Sequence, residues 1–444
     1  MKRVFQLSYS LLLISYSLFL PSCSVNKQIN KQAQQLLFAD SSISHGHIGI
    51  SVYDPSTGKY LYNHNADKYF IPASNTKLFS WYAGMKYLAD SLVGLRHYIN
   101  DYTKQTYILP AGDPTFLLPE FSYQPVLSFL EKADTIHLQI SKTVAPYGNG
   151  WAWNDYMDDY MTPRSEFPVF GNRLSTKWIS NDSIQVYPEY FKKISLSGKS
   201  FRNITRFNRR RQPDMGFVIV RSFDANDIQF LSGDTKEQVI SFYPDPVLVS
   251  KLLEDTLKKQ IDISSHYTRG TPIYSQPSDS LFKPMMHRSD NFFAEQTLLM
   301  ASNEYLGYMS DRNMIDTMLK TTLKDIPQKP RWVDGSGLSR YNLFTPQDFV
   351  WLLNKTKNEF SWERIKNILP TGGEGTLSSY YKNEAGFIYA KTGTLSNNCA
   401  LSGYLITKKN KLLIFSVLVN NYPGAATPVR RAVEKFIKNL REKY

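Results

Sequence analysis

Apolar and polar residues alternate along "HIGISVYDPSTGKYLYNHNADKYF" (47–70) on either side of Asp54-Pro55-Ser56-Thr57-Gly58, which predicts a β-hairpin. The pattern then changes period. In "TKLFSWYAGMKYL", Leu78, Phe79, Tyr82 and Met85 follow helical spacing behind Pro72, a residue suited to a first helical turn. From about 102 to 246 come short aromatic-rich strands with many turns and few long helical runs. Helical periodicity returns at "PVLVSKLLEDTLKKQ" (246–260) and "SDNFFAEQTLLMASNEYL" (289–306). "GFIYAKTGT" and "ALSGYLITKKNKLLIFSVLVNN" predict strands, the latter two around a Lys-Lys-Asn-Lys turn, and the basic amphipathic "PVRRAVEKFIKNLREKY" closes the chain as a helix. The fold class expected is α+β: helices on an antiparallel sheet, with a large β-rich insertion.

Length and composition bound this picture. The 444 residues, 42% apolar and 20% charged, suit a globular protein of two or three domains. The start, "MKRVFQLSYSLLLISYSLFLPSC", has a short basic stretch and an apolar run, which predicts a secretory signal over 1–22. That run is short and broken by serines, which argues against a permanent membrane span. Its ending, Leu20-Pro21-Ser22-Cys23, resembles a bacterial lipobox with an unusual Pro21. Lipidation of Cys23 would follow; simple cleavage leaving a free Cys23 stays open. The other cysteine is Cys399, so a lipidated Cys23 leaves no disulfide to form. "SVNKQINKQAQQ" reads as a polar tether behind Cys23. The histidines and cysteines lack zinc spacing, and no metal or cofactor is expected. The formal charge of +13 becomes 13 − 2 = +11 once Lys2 and Arg3 leave with the signal. In an exported protein this favours anionic envelope surfaces, not nucleic acid. The densest basic stretch, 192–214, reads as a solvated loop or hairpin.

Candidate chemistry begins with Ser-x-x-Lys, which occurs five times: Ser24/Lys27, Ser56/Lys59, Ser74/Lys77, Ser280/Lys283 and Ser379/Lys382. Setting discriminates among them. Ser24/Lys27 falls in the tether, Ser56/Lys59 in the hairpin turn, Ser280/Lys283 before Pro284, and Ser379/Lys382 on a possible helix end. Ser74/Lys77 opens a helix, where residues three apart share a face and unpaired backbone N–H groups can meet a developing negative charge. Two further elements follow in order: Ser289-Asp290-Asn291 at the start of a helical run, and Lys391-Thr392-Gly393 in an edge-like strand. Ser-x-Asn alone is weak, since Ser396-Asn397-Asn398 also fits. Taken singly, Ser289 suits a helix N-cap, Asn291 a turn and Lys391 a solvated strand charge. The ordered set is the signature of serine acyltransferases that recognise penicillin.

With "AGDPTF" (111–116), "GNGWAWNDYMDDYMTPRSEFPVFGN" (148–172), "VDGSGLSRYNLFTP" (333–346) and "LPTGGEGTL" (369–377), the chain resembles the class C low-molecular-mass penicillin-binding proteins, the penicillin-binding-protein-4-type D-Ala-D-Ala carboxypeptidase/endopeptidase family, over about residues 47–422. The resemblance implies a penicillin-recognising serine transpeptidase-like domain in two parts, 23–101 and 247–444, around an inserted β-rich region, 102–246. It implies peptidoglycan stem peptides as substrate, β-lactams as covalent inhibitors, and export to the periplasm with a lipid anchor on Cys23, the outer membrane favoured. By the same resemblance Ser74 attacks the peptide carbonyl, Lys77 is the base, and Lys391 is the cation that lowers its proton affinity. Ser289 relays the proton to the leaving amine, and Asn291 orients Lys77 and the substrate amide. Thr392, Thr394 and Lys391 suit the D-Ala carboxylate; Gly393 lets a peptide lie along the strand; the N–H groups of Ser74 and Thr394 form an oxyanion hole. Asp155 and Arg340 match positions that hold the free amino-acid end of a diaminopimelate side chain. Taken alone, Asp155 suits a turn cap and Arg340 a surface ion pair. Ser396 stands where some relatives carry glutamine, which leaves the details of side-chain recognition open.

Two rival classes remain. A β-lactamase would share Ser74, Lys77 and Lys391 but needs a carboxylate to activate water, and no Glu-x-x-Leu-Asn stretch occurs. A catalytically inactive peptidoglycan-binding relative would keep the fold without turnover. A Ser-His-Asp hydrolase is disfavoured, because no Gly-x-Ser-x-Gly elbow is present.

Overall fold

The computed structural model describes residues 21–141, 143–180, 183–192, 217–226, 228–232, 237–264 and 270–444. Most of the expected signal (1–20) and most of the basic stretch (193–214) lie outside these residues. Two compact units emerge, one formed by 1–78, 325–332 and 342–444, the other by 79–324 and 333–341.

The first unit is built on a five-stranded antiparallel sheet. The hairpin is present as β1 (His47–Asp54) and β2 (Lys59–His64), and the C-terminal strands as β13 (Ile388–Leu395), β14 (Asn398–Ile406) and β15 (Leu412–Asn420). Their order, β13-β14-β15-β1-β2, leaves β13 at an edge. Side chains alternate between two buried faces, as a period of two requires. Leu413, Phe415, Val417 and Val419 join one core with Val429, Val433, Phe436 and Leu440 of α10 (Ala426–Lys443). On the other face the Tyr404 hydroxyl donates to the Leu353 carbonyl (2.7 Å) on α8 (Pro346–Glu359). Helix α8 starts with a capping box: Thr345 Oγ1 accepts from Asp348 N (3.2 Å) and Asp348 Oδ2 from Thr345 N (2.9 Å).

The expected polar tether is instead helix α1 (Pro21–Ala33), continued by a π-turn over Gln34–Phe38. Ile29, Ala33 and Leu37 recur every four residues, are fully buried, and pack into the α10 core. Burying a side chain the size of Ile29 or Leu37 contributes about 2 kcal/mol, and Val25, Leu36 and Phe38 pack partly buried against the same core, which orders the segment.

In the second unit a five-stranded mixed sheet runs β11-β5-β4-β3-β12. It comprises β3 (Ser91–Ile99), β4 (Thr106–Pro110), β5 (Ile136–Gln139), β11 (Ile261–Ser264) and β12 (Thr271–Pro277). The expected insertion, 102–246, falls inside this unit. Its sheet also takes in 91–99, 261–264 and 271–277, because β3 pairs antiparallel with β12 and β5 parallel with β11. Smaller sheets are formed by β6 (Arg173–Ser180), β7 (Ser183–Tyr187) and β10 (Gln238–Ser241), and by β8 (Phe217–Arg221) with β9 (Ile228–Ser232). Helices α3 (Pro125–Leu130) and α4 (Pro246–Leu257) supply Val126, Leu130, Val249 and Leu253 to this unit's core. Helices α5 (Ser278–His287), α6 (Asn291–Leu306) and α7 (Asp311–Lys320) follow. Ser280/Lys283 therefore lies on a helix after all: α5 runs through Pro284, and its buried Leu281, Phe282, Met285 and Met286 outweigh the lost backbone hydrogen bond.

Candidate active site

The single helix expected behind Pro72 is two elements. A 3₁₀ turn, Ala73–Thr76, runs directly into α2 (Lys77–Tyr87). Three residues per turn in a 3₁₀ helix put i and i+3 in line. Lys77 Nζ accordingly donates to Ser74 Oγ at 3.0 Å. Ser74 is partly exposed, whereas Lys77 is fully buried. Ala73 has φ +48°, a left-handed conformation rare for a residue with a side chain and common where a functional turn is held under strain. The other four Ser-x-x-Lys pairs have no such setting. Ser24/Lys27 lies in α1, Ser56/Lys59 in the hairpin turn, Ser280/Lys283 in α5, and Ser379/Lys382 in a turn and short 3₁₀ segment.

Lys391 is no solvated strand charge. It is fully buried on β13 in register with Ser402, and its Nζ donates to the Thr392 carbonyl (2.9 Å). Burial pushes its ammonium well below the usual lysine range, and the Lys77 and Arg430 cations add to the effect. Lys391 therefore gives up its proton more readily than an exposed lysine would.

Asn75, which the sequence reading passed over, ties the turn to the sheet. It is fully buried, and its amide spans the cross-strand pair Lys391/Ser402. With the amide oriented by its partners, Nδ2 donates to the Lys391 carbonyl (2.8 Å) and Oδ1 accepts from Ser402 Oγ (2.7 Å) and Ser402 N (3.3 Å). Gly393 brings β13 still closer. A Cβ there would lie 2.6 Å from the Pro72 carbonyl oxygen and 3.1 Å from Ser74 N. Thr392 and Thr394 flank it, and Arg430 of α10 donates to Thr394 Oγ1 (2.5 Å). Ser74, Lys77, Lys391, Thr392, Gly393 and Thr394 are thus gathered in the first unit.

Ser289, Asn291, Asp155 and Arg340 belong to the second unit. Ser289 has φ +62°, and the N-cap of α6 is Asp290, whose Oδ1 accepts from Phe293 N (3.0 Å). Burial opposes ionisation of Asp290, yet Arg173 and Arg288 hold its carboxyl below the usual range. Asn291 begins α6 and donates to the Tyr160 carbonyl (2.8 Å). One turn later Glu295, fully buried, accepts from Ser336 N (2.7 Å) and pairs with Arg164 (3.3 Å). Burial pushes the Glu295 carboxyl up, and the nearby Asp334 carboxylate adds to it. Asp334 folds the loop that carries Arg340 by accepting from Gly337 N (2.9 Å) and Ser339 N (2.6 Å), and its Oδ2 accepts from Trp151 Nε1 (2.8 Å). Gly335 has no room for a side chain, since a Cβ would sit 2.7 Å from the Ala294 carbonyl oxygen. Arg340 N donates to the Gly150 carbonyl (3.1 Å), so the loop ahead of Asp155 and the loop of Arg340 are joined. Arg340 is exposed; Asp155, at the end of a 3₁₀ turn (Trp153–Asp155), is partly so. Sequence reasoning missed Glu295, Asp334 and Arg164, because nothing local marks residues so far apart along the chain as one network.

Known proteins resemble this chain along its length. A "Penicillin-sensitive carboxypeptidase A" of Dictyostelium discoideum is 21% identical over 453 residues, covering 87% of this chain and 85% of its own. A "D-alanyl-D-alanine carboxypeptidase DacB" of Haemophilus influenzae is 28% identical over 162 residues, 33% of each chain. The crystal structure of penicillin binding protein 4 from Haemophilus influenzae shares the fold, with a TM-score of 0.69 at 16% identity over 93% of this chain and 99% of that one. Across residues 29–443 the sequence matches the model of the D-Ala-D-Ala carboxypeptidase 3 (S13) family, and the chain belongs to that family.

Proposed function

We propose that this serine D-Ala-D-Ala peptidase works through an acyl-enzyme on Ser74, with Lys77 as its base. The observation that carries the assignment is the 3.0 Å contact between a wholly buried Lys77 Nζ and Ser74 Oγ. Neutral Lys77 takes the hydroxyl proton as Oγ attacks the carbonyl of the penultimate D-Ala. The tetrahedral oxyanion is met by the N–H groups of Ser74 and Thr394. Ser289 relays a proton to the departing amine, Asn291 orients Lys77 and the substrate amide, and water then releases the acyl group. The stem peptide adds to the edge strand β13, its carboxylate held by Thr392, Thr394 and Lys391. When the leaving group is a terminal D-Ala the enzyme is a carboxypeptidase; when it is the side-chain amine of a diaminopimelate it is an endopeptidase. Asp155 and Arg340 hold the amino-acid end of that residue. β-Lactams acylate the same serine. The protein is exported and held through lipid on Cys23 at a periplasmic membrane face, the outer membrane favoured.

Labelled penicillin tests the assignment. A stable adduct mapping to Ser74, absent in Ser74→Ala, is expected, together with muropeptides ending in D-Ala or cleaved at cross-links by mass spectrometry. Mapping to another serine sinks it, rapid turnover of the adduct points to a β-lactamase, and no adduct points to an inactive binder. Cys23→Ser should move the protein from the detergent phase to the aqueous phase; equal partitioning of both would remove the anchor.

A further inference from the structure

Within the first unit, β13 presents two faces, because successive side chains along a strand point to opposite sides. Lys391 and Gly393 lie on the side of the turn that carries Ser74. Thr392 and Thr394 lie on the side of α10, where Arg430 meets them. Arg430 Nη2 donates to Thr394 Oγ1 (2.5 Å). The cross-strand partner of Thr394 is Cys399. Burial pushes the Cys399 thiol up to about 11, and the Arg430 guanidinium beside it opposes the shift. Arg430, Thr392 and Cys399 also line one narrow gap between β13, β14 and α10.

The company Arg430 keeps is neutral. Its neighbour Arg431 pairs with Glu434 (2.6 Å), and Lys438 of the same helix with Glu384 (3.6 Å). Among the described residues the partners of Arg430 are instead a hydroxyl and a thiol, Thr394 and Cys399. Arg430 is partly exposed and Thr394 exposed, so this cation borders solvent beside the edge strand.

The chemistry of the strand's other cation sharpens the point. Lys391 is fully buried and pushed well below the usual lysine range, and its Nζ donates to the Thr392 carbonyl (2.9 Å). A lysine that sheds its proton readily is a poor permanent counter-charge, whereas a guanidinium keeps its charge at any working pH. Hydrogen-bond polarity agrees. Thr394 Oγ1 accepts from Arg430, so its own proton is turned to a further acceptor. A hydroxyl polarised by a cation is a stronger donor to an anion, and the planar guanidinium fork has further N–H groups that match a carboxylate.

We propose that Arg430 is a substrate-binding residue: together with Thr394 it holds the carboxylate beside the scissile bond, whether of a terminal D-Ala or of the equivalent centre in a cross-link. This deepens the peptidase reading and rests on it, with Ser74 as nucleophile and β13 as the strand along which the stem peptide lies. The carboxylate of a β-lactam falls in the same place.

The test uses the full chain and two pairs of probes that differ by one charge: benzylpenicillin against its methyl ester, and diacetyl-L-Lys-D-Ala-D-Ala against its C-terminal amide. Wild type should prefer the acid in each pair, read as the second-order rate of Ser74 acylation and as kcat/KM. Arg430→Gln should slow both acids by about 10- to 100-fold and leave ester and amide within about twofold of wild type. Arg430→Lys should recover part of the loss. Arg430→Met, which keeps the apolar stem, makes the same comparison should the glutamine variant fail to fold. Equal losses on charged and uncharged probes would show that Arg430 only props Thr394 and would overturn the proposal. So would an undiminished acid preference in the variants, or none in wild type. Labelling of wild-type Ser74 by penicillin keeps the two readings apart: without the adduct the peptidase reading falls, and with it those outcomes count against Arg430 alone.

Discussion

Gly393→Ala is the sharpest test of the site. The added methyl would stand 2.6 Å from the Pro72 carbonyl oxygen, 3.0 Å from Asn75 N and 3.1 Å from Ser74 N. All three are backbone atoms of the nucleophile's own turn, so no flexible side chain can move aside. Heavy-atom contacts to carbon relax only near ~3.5 Å, so turn and strand must part by roughly 0.9 Å at the Pro72 carbonyl. Overpacking of this kind costs about 1–3 kcal/mol of stability. The catalytic effect is larger, because a misplacement of about 1 Å can cost on the order of 100-fold in rate. The assay is the second-order rate of acylation by a fluorescent penicillin, with the urea midpoint measured alongside. A drop of on the order of 100-fold with a modestly lowered midpoint is expected. Acylation within about threefold of wild type would refute the reasoning, since β13 would then be free to yield without disturbing Ser74.

Other expectations follow from the same geometry. Lys77→Arg keeps a positive charge that cannot be shed at working pH, so acylation should fall by orders of magnitude; near-wild-type acylation would make Lys77 an electrostatic anchor only. Lys391 is depressed below its ordinary 10.5 by burial first and by Lys77 and Arg430 next, so above its folded value the unfolded chain holds one more proton than the folded one. The stability of wild type relative to Lys391→Met should therefore rise with pH from the depressed value up to about 10.5 and level off beyond it; urea midpoints for both proteins at several alkaline pH values test this, and a flat difference contradicts it. Asn75→Ala removes the buried amide's hydrogen bonds to the Lys391 carbonyl and to Ser402, at a cost of about 1–3 kcal/mol, and should slow acylation as well; loss of neither would show that the turn holds itself. Asp348→Ala removes the acceptor for Thr345 N and Gln328 N at the start of α8 and should lower stability by about 1–2 kcal/mol with acylation unchanged, read by thermal unfolding.

The sequence by itself determined the elements whose pattern is local. The 47–64 hairpin, the helices near 246 and 291, and the strands 388–420 follow from periods of 2 and 3.6 that any folded setting must respect. It also determined the ordered motifs, because Ser74/Lys77, Ser289/Asn291 and Lys391/Gly393 are recognisable as residue types at fixed spacing. Tertiary structure alone decided the rest. Three apolar residues among polar ones, Ile29, Ala33 and Leu37, make a helix only because α10 is there to cover them. The β3–β12 pairing joins strands 172 residues apart, counted from Ile99 to Thr271, and no period marks which distant strand will be the partner. Lys391 looks like a strand charge until the turn at 73–76 closes over it, and Asn75 looks like a polar helix residue until its amide meets Lys391 and Ser402. Those contacts span more than 300 residues of chain, and burial and close approach are properties of where two distant segments meet, which residue type and spacing do not encode.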